Sequence, residues 1–289
     1  PADAVDKVQV FDKKSDQAAF SGIDDGQREK TINLALKEEK KNGAFGNITG
    51  AAGTDDRFQG RASVNRFTKS RQLSFLGMAN NVNEQGFSME DYMNFSGGAQ
   101  QMMSGGGFRI TIGDNNGTGV PLNFGTRANG IMTNYAGGVN LNNEFNKKTE
   151  LNGSYFYNYL DHDRDETTFR ESSFQDQRFT LNENAGMRNN NSNHRVNFSL
   201  DHKMDSVNSL KLTGNVTYNE TDSETRSTSE NLNTDQTMLN ESERLSLASG
   251  TNFNVNTSLL WRHKFDKKGR NLSANLSLVT GENERRGYL

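Results

Sequence analysis

The sequence has no cysteine in 289 residues. That excludes a disulfide framework and any thiolate metal site. It has two prolines, 31% hydrophobic residues and a mean hydropathy of -0.87. A soluble globular domain carries about 45–50% apolar residues on the slightly broader count that includes glycine. Such a chain either buries little or has a wet interior. Disorder fits poorly, because the net charge is only -3, proline is scarce and 9% of residues are aromatic. No apolar run approaches the ~20 residues of a membrane helix. No basic stripe is interleaved with aromatics, so nucleic acid is not an expected partner. No signal peptide is visible. Pro1 opens the sequence without an initiator Met, so an upstream start is expected.

What is there is alternation. From Thr251 onward, Phe253, Val255, Thr257, Leu259, Trp261, His263 and Phe265 fall on one register. Asn252, Asn254, Asn256, Ser258, Arg262 and Lys264 fall on the other, with Leu260 as the exception. Period two is the signature of a strand with one apolar and one polar face. Leu272, Ala274, Leu276 and Leu278 repeat it, as do Val196, Phe198 and Leu200. Leu210, Leu212, Gly214, Val216 and Tyr218 form a further run, and 131–145 and 151–159 read the same way with more glycine. Three weaker strands are expected within Ala44–Val82, with an outer turn at Gly53–Asp56. The total is about nine antiparallel strands.

Several of these runs reach or exceed the ~9–11 residues a tilted membrane strand needs. Arg195, Asp201, Lys211 and Arg262 all lie on the polar register, as they must where a lipid-facing cation costs ~2–4 kcal/mol. A soluble sandwich would also keep these charges off its core face. Connections alternate in length. Short turns are expected at Thr68–Arg71, Asn146–Lys148, Asp205–Asn208 and Asp266–Arg270. Long polar loops are expected at Asn83–Asn129, Asp163–Asn193 and Thr221–Ser249. Short turns on one side and long loops on the other is the layout of outer-membrane barrels. The expected fold is therefore all-β, a partial antiparallel transmembrane β-barrel occupying residues 41–289. Its lipid-facing register is Val196, Phe198, Leu200, Leu212, Val216, Tyr218, Phe253, Val255, Leu259, Trp261, Phe265, Leu272, Leu276 and Leu278. The last strand is expected to end near Thr280. Bacterial single-chain barrels have an even number of strands, and this last strand has no return, so the chain is expected to be cut and not to close a barrel alone.

Residues 1–40 differ. Val5–Phe11 is a short alternating strand and Thr31–Lys37 is another, with Gly22 and Gly26 between them. The Val5-Asp6-Lys7-Val8-Gln9-Val10 strand, a small-residue loop, then Lys30-Thr31-Ile32-Asn33-Leu34-Ala35-Leu36-Lys37 resembles the end of the plug domain of TonB-dependent receptors. Lys14-Ser15-Asp16-Gln17-Ala18-Ala19-Phe20-Ser21-Gly22-Ile23-Asp24-Asp25-Gly26 is similar to wording found in that barrel family in Bacteroidetes. Asp12-Lys13-Lys14 stands where standard receptors have Arg-Gly-Pro. The resemblance implies a plug remnant built on Val5, Val8, Val10, Ile32, Leu34 and Leu36, followed by the first nine or so strands of a plugged barrel of about 22. It also implies localisation in a Gram-negative outer membrane and import of a bulky nutrient. The implied partners are membrane lipid, lipopolysaccharide, a TonB-type energiser and a surface lipoprotein.

No catalytic, cofactor or metal site is expected, and no enzyme activity. Asp161-His162-Asp163 contains metal-ligating groups, yet it reads as a solvated strand tip. His202 and His263 fall on the lipid-facing register near strand ends. The glycines at 97–98 and 105–107 lack the Lys-Ser/Thr of a phosphate loop. The Asn83–Asn129 connection is the expected contact for substrate or an external partner. Trp261, Phe265, Phe145, Tyr155, Tyr157 and Tyr218 are candidates for aromatic girdles. Two other readings remain open: a non-transporting barrel serving assembly or secretion, and a soluble β-rich adhesin.

Overall fold

The computed structural model describes residues 5–14, 18, 20, 26, 28–36, 42–84, 87, 129–174, 177–267 and 269–289. Its strands are β1 (Val5–Lys14), β2 (Arg28–Leu36), β3 (Gly43–Ala52), β4 (Phe58–Phe67), β5 (Arg71–Asn80), β6 (Ile131–Asn146), β7 (Thr149–Phe174), β8 (Gln177–Lys203), β9 (Asn208–Leu232), β10 (Met238–Lys264) and β11 (Asn271–Tyr288). The fold is all-β and antiparallel. β1 and β2 pair with each other, and β3 to β11 form one nine-stranded sheet in sequence order. Every neighbour in that sheet is joined to the next in the chain, so it is a pure meander with β3 and β11 at its edges.

The four short turns fall where the sequence predicts, between β4 and β5, β6 and β7, β8 and β9, and β10 and β11. Each is closed by local hydrogen bonds. Thr68 N donates to Arg71 O at 2.7 Å and Phe265 N to Arg270 O at 3.0 Å. Asp205 accepts from Val207 N and Asn208 N at 2.8 and 2.7 Å. At the opposite end, Asp55 and Asp56 take positive φ in the β3–β4 turn, a conformation that aspartate tolerates better than most residues.

Register drifts across the sheet. Gln72, next to the β4–β5 turn, stands in one row with Asn142, Asn152, Ser199, Thr213 and Ser258. Ser258 still has six residues to run before β10 ends at Lys264. Neighbouring strands thus slip steadily past one another, the stagger that a tilted barrel wall requires.

Four expectations are corrected. Asp163–Asn193 and Thr221–Ser249 are not long loops. β7 and β8 stay paired up to Phe174↔Gln177. β9 and β10 stay paired up to Met238↔Leu232. The strands run to 26, 27, 25 and 27 residues. The physical reason is that a strand polar on both faces still satisfies its backbone through the ladder. Its threonines favour extended backbone, while its sequence lacks the apolar beat that marks a half-buried strand. β11 likewise continues past Thr280 to Tyr288. The strip at 161–163 is consequently mid-strand and not a tip. The glycine-rich stretch 97–107 lies outside the described residues.

Candidate functional site

The two faces of the nine-stranded sheet are its candidate working surfaces. On the first, a single row crosses every strand: Gly46, Val64, Phe75, Val139, Tyr155, Val196, Val216, Val255 and Thr280. The rows beside it hold Leu73, Leu141, Phe198 and Leu278, then Leu151, Leu200, Leu212, Leu259 and Leu276. Registers place the predicted lipid-facing residues within the strands on this one face, with Trp261 and Leu272 toward the short turns, while Phe265 lies just past the end of β10. The face is uncovered: Phe75 is 46% exposed, Leu276 70% and Leu278 56%.

Aromatic rings gather at both margins of this apolar band. Toward the short turns, Trp261 stacks on His263 at 6.0 Å and His263 meets Phe265 edge-on at 4.7 Å. Phe145 is exposed at the same end. Toward the long hairpins, Tyr155, Tyr157 and Tyr218 surround His194, whose ring lies 4.7 Å from that of Tyr157. Phe58, Tyr135 and Tyr159 continue the chain of rings at 6.4 Å spacings. The histidines are held locally. His202 Nδ1 bonds Thr149 Oγ1 at 2.9 Å, His263 Nδ1 bonds Asn208 Oδ1 at 2.8 Å, and His194 Nδ1 bonds the Tyr155 hydroxyl at 2.9 Å. Phe253 to Trp261 spans eight residue steps, about 27 Å along the strand at ~3.4 Å each. At a tilt of roughly 40° this is a band slightly over 20 Å tall, close to the ~25 Å of membrane barrels.

The second face is polar. Its matching row is Asn65, Ser74, Asn140, Ser154, Asn197, Asn215 and Asn256. Asn215 Nδ2 donates to Asn197 Oδ1 at 2.6 Å, and Asn197 Nδ2 donates to Ser154 Oγ at 3.3 Å. Arg195 and Arg262 are buried here, and Arg262 Nε donates to Ser209 Oγ at 3.2 Å. Phe20, from the stretch between β1 and β2, sits under the Arg262 guanidinium at 4.7 Å and the Lys264 ammonium at 4.8 Å. This pairing of a ring with two cations was not legible in the sequence.

A second feature that sequence reasoning missed is an apolar patch on this polar face. Leu76, Met78, Ala136 and Phe156 pack with Phe87, which is fully buried and meets Phe156 edge-on at 5.6 Å. The signal was present in β5, where Phe75, Leu76, Met78 and Ala79 put apolar groups on both registers, the mark of a strand covered on both sides. Phe87 belongs to the β5–β6 connection, whose described start turns onto the polar face. Glu84 there is bonded by Arg61 and Gln59 of β4. Asn83 fastens both ends of the connection: its Nδ2 donates to Gly130 O at 2.7 Å, and its Oδ1 accepts from Met132 N at 2.8 Å.

The predicted plug strands pair as Val8↔Leu34 and Val10↔Ile32, with Val5 opposite Leu36. Val8 and Val10 are exposed. Above the apolar band, β7 to β11 carry charge on the first face. Arg188 pairs with Asp161 at 3.1 Å and Asp163 at 3.7 Å, and the Asp161 hydrogen bond followed by its charge pushes the Arg188 guanidinium up from its ordinary value. Among the described residues no three His, Asp or Glu side chains converge as a metal site requires. His162 Nε2 is spent on Asn129 O at 2.7 Å.

No family model and no curated protein matches the chain. Solved structures with slight likeness include an anion-selective porin from Comamonas acidovorans, at TM-score 0.16 and 8% identity over 98% of this chain and 99% of that one. A loop-deletion mutant of OmpT, an outer membrane protein of Vibrio cholerae, gives 0.12 and 8% over 97% and 96%. In-vitro folded OmpT of the same organism gives 0.14 and 7% over 97% and 96%. Scores this low carry no weight for the fold, which rests on register and faces.

Proposed function

We propose that the nine-stranded sheet is part of a Gram-negative outer-membrane β-barrel that transports a bulky nutrient, plugged from within and energised through TonB. The observation that carries the membrane reading is the uncovered apolar row across all nine strands, bounded on both sides by rings. Soluble proteins rarely expose a contiguous apolar patch above a few hundred Å². In lipid the same surface is the buried one, and a closed antiparallel barrel satisfies every backbone group.

Transport is supported by the other face. The central row of asparagine and serine can bond neutral polar solutes, with the charges of this face, Arg61, Arg195, Lys211 and Arg262 among them, set above and below it. Phe20 and Phe87 bring chain from outside the sheet onto that lining, as a plugged interior needs. TonB energisation rests on the resemblance of residues 1–40 to the end of a plug domain. A second reading, a barrel that assembles with surface partners without transporting, is favoured by one feature. Strands β7 to β10 continue about 15 residues beyond the aromatic margin, as Met238 to Asn252 do in β10, making a polar wall suited to docking.

The test is the mobility of the protein from isolated outer membranes, on gels with and without boiling, joined to nutrient-dependent growth with and without a protonophore. A heat-shifted band in the outer membrane and growth abolished by the protonophore support the full reading. A heat shift without any nutrient phenotype favours the assembly reading. A soluble protein with no shift overturns both.

A further inference from the structure

The two ends of the sheet treat their cations differently. On the long hairpins five arginines are paired, Arg188 with Asp161 and Asp163, Arg226 with Glu243 at 2.6 Å, Arg286 with Glu284, Arg178 with Glu171 at 3.4 Å and Arg164 with Glu166 at 3.4 Å, while Arg170, Arg244 and Arg285 make no ion pair among the described residues. At the short-turn end, Arg66, Lys147, Lys148, Lys203 and Lys267 are exposed and make no ion pair among the described residues. The carboxylates at this end are fewer, and Asp205 is already spent on three donors of its own turn, Val207 N, Asn208 N and Asn208 Nδ2. Glu150 accepts from Asn152 at 3.0 Å. Glu144, Asp201 and Asp266 are what remains.

All of these except Lys203 sit one to three residues from a phenylalanine at this end, Phe67, Phe145 or Phe265. Lys147 follows Phe145, and Lys267 follows Phe265. Arg270 places its guanidinium 5.7 Å from the Phe265 ring centre. Arg66 is on the apolar register itself, opposite Ala44 and Leu73. A long cationic side chain there runs its stem along the apolar band and lifts its head to the interface. At that depth the facing groups are lipid phosphates.

We propose that the short-turn rim is a binding surface for anionic phospholipid headgroups, with Lys267, Arg270, Lys147, Lys148 and Arg66 as its phosphate-facing cations. The inference rests on the membrane-barrel reading and adds a lipid preference and a sidedness to it. Cations near an anionic surface are attracted to it, and salt screens the attraction. An acidic soluble protein is the other occupant the charge would suit. The rings directly beside the cations favour lipid, because they place this rim at the membrane surface.

Trp261 makes the test direct, since it stands at this margin and is the single tryptophan of the sequence. The membrane-extracted protein is reconstituted in vesicles containing either brominated phosphatidylglycerol or brominated phosphatidylcholine at equal mole fraction. Quenching of Trp261 is read as the difference from a Trp261→Phe variant. The expected result is an association about fivefold stronger with the brominated phosphatidylglycerol, lost at high salt and lost in Lys267→Gln/Arg270→Gln while insertion and heat shift are retained. Equal quenching by both lipids overturns the headgroup site and leaves the barrel standing. A preference unchanged in the double variant overturns the assignment to these cations. Quenching by neither lipid overturns the membrane reading itself, and this site with it.

Discussion

The ring of Phe198 on β8 lies over Gly214, its directly opposite partner on β9, and fills the space a Gly214 side chain would take. A β-carbon on Gly214 would fall well inside contact distance of that ring. The pair is a cross-strand lock in the middle of the apolar face, in which the missing side chain of one residue seats the other.

Replacing Gly214 by Ala therefore displaces the ring. The expected loss is about 1 kcal/mol, the scale of one cross-strand pair. Urea unfolding in lipid vesicles measures it. Gly214→Ala should cost little once Phe198→Ala is already present, so a double-mutant cycle reads the coupling. Additive effects would show that the ring does not depend on Gly214.

Asn83 holds the two ends of the β5–β6 connection together through its single amide. Asn83→Ala removes one partly buried and one exposed hydrogen bond, about 1 kcal/mol for the first and less for the second. The expected outcome is faster proteolytic nicking within 84–129 with the heat shift of the barrel intact. Unchanged nicking would mean that Phe87 and Glu84 suffice to seat the connection.

The Asp205 carboxyl is held below the ordinary carboxylate range, first by the Asn208 side chain and then by the backbone of Val207 and Asn208. A depressed carboxyl contributes stability that is fully present above its unfolded pKa, near 3.9, and is lost as pH falls through the lower folded value. Asp205→Ala should be less stable than the parent at neutral pH. The gap should close as pH drops below the carboxylate range. Unfolding midpoints measured against pH check this, and a constant gap would contradict it.

The paired extension of β7 and β8 beyond Asp165↔Gly186 touches neither the apolar band nor the Phe87 patch. Joining Asp165 to Gly186 through a two-residue Asn-Gly turn should leave the heat shift and the unfolding midpoint of the barrel unchanged within about 0.5 kcal/mol. Loss of folding would show that the wall nucleates the sheet.

Nine strands, both registers and all four short turns were legible because an apolar face needs period two, and a turn needs Asp, Asn, Gly or Lys. The tall hairpins were not, since neither face there is apolar. Yet β9 carries a subtler beat: Thr221, Ser223, Thr225, Ser227 and Ser229 share one register, and Asp222, Glu224, Arg226 and Glu230 the other. Hydroxyls alternating with charges mark a strand whose two sides meet different surroundings. Phe20 and Phe87 could not be placed from sequence, because each is fixed by residues far along the chain, Arg262 and Phe156.

On the proposed membrane reading, one face of the sheet meets lipid and the other does not. Val216 and Asn215 are neighbours on β9, on opposite faces and at the same depth. The decisive measurement is the unfolding free energy in lipid vesicles of Val216→Arg beside Asn215→Arg. The expected loss is about 2 kcal/mol for the first, an arginine between the aromatic margin and mid-bilayer, and within about 1 kcal/mol of the parent for the second. Equal losses, or the larger loss at Asn215, would contradict that reading.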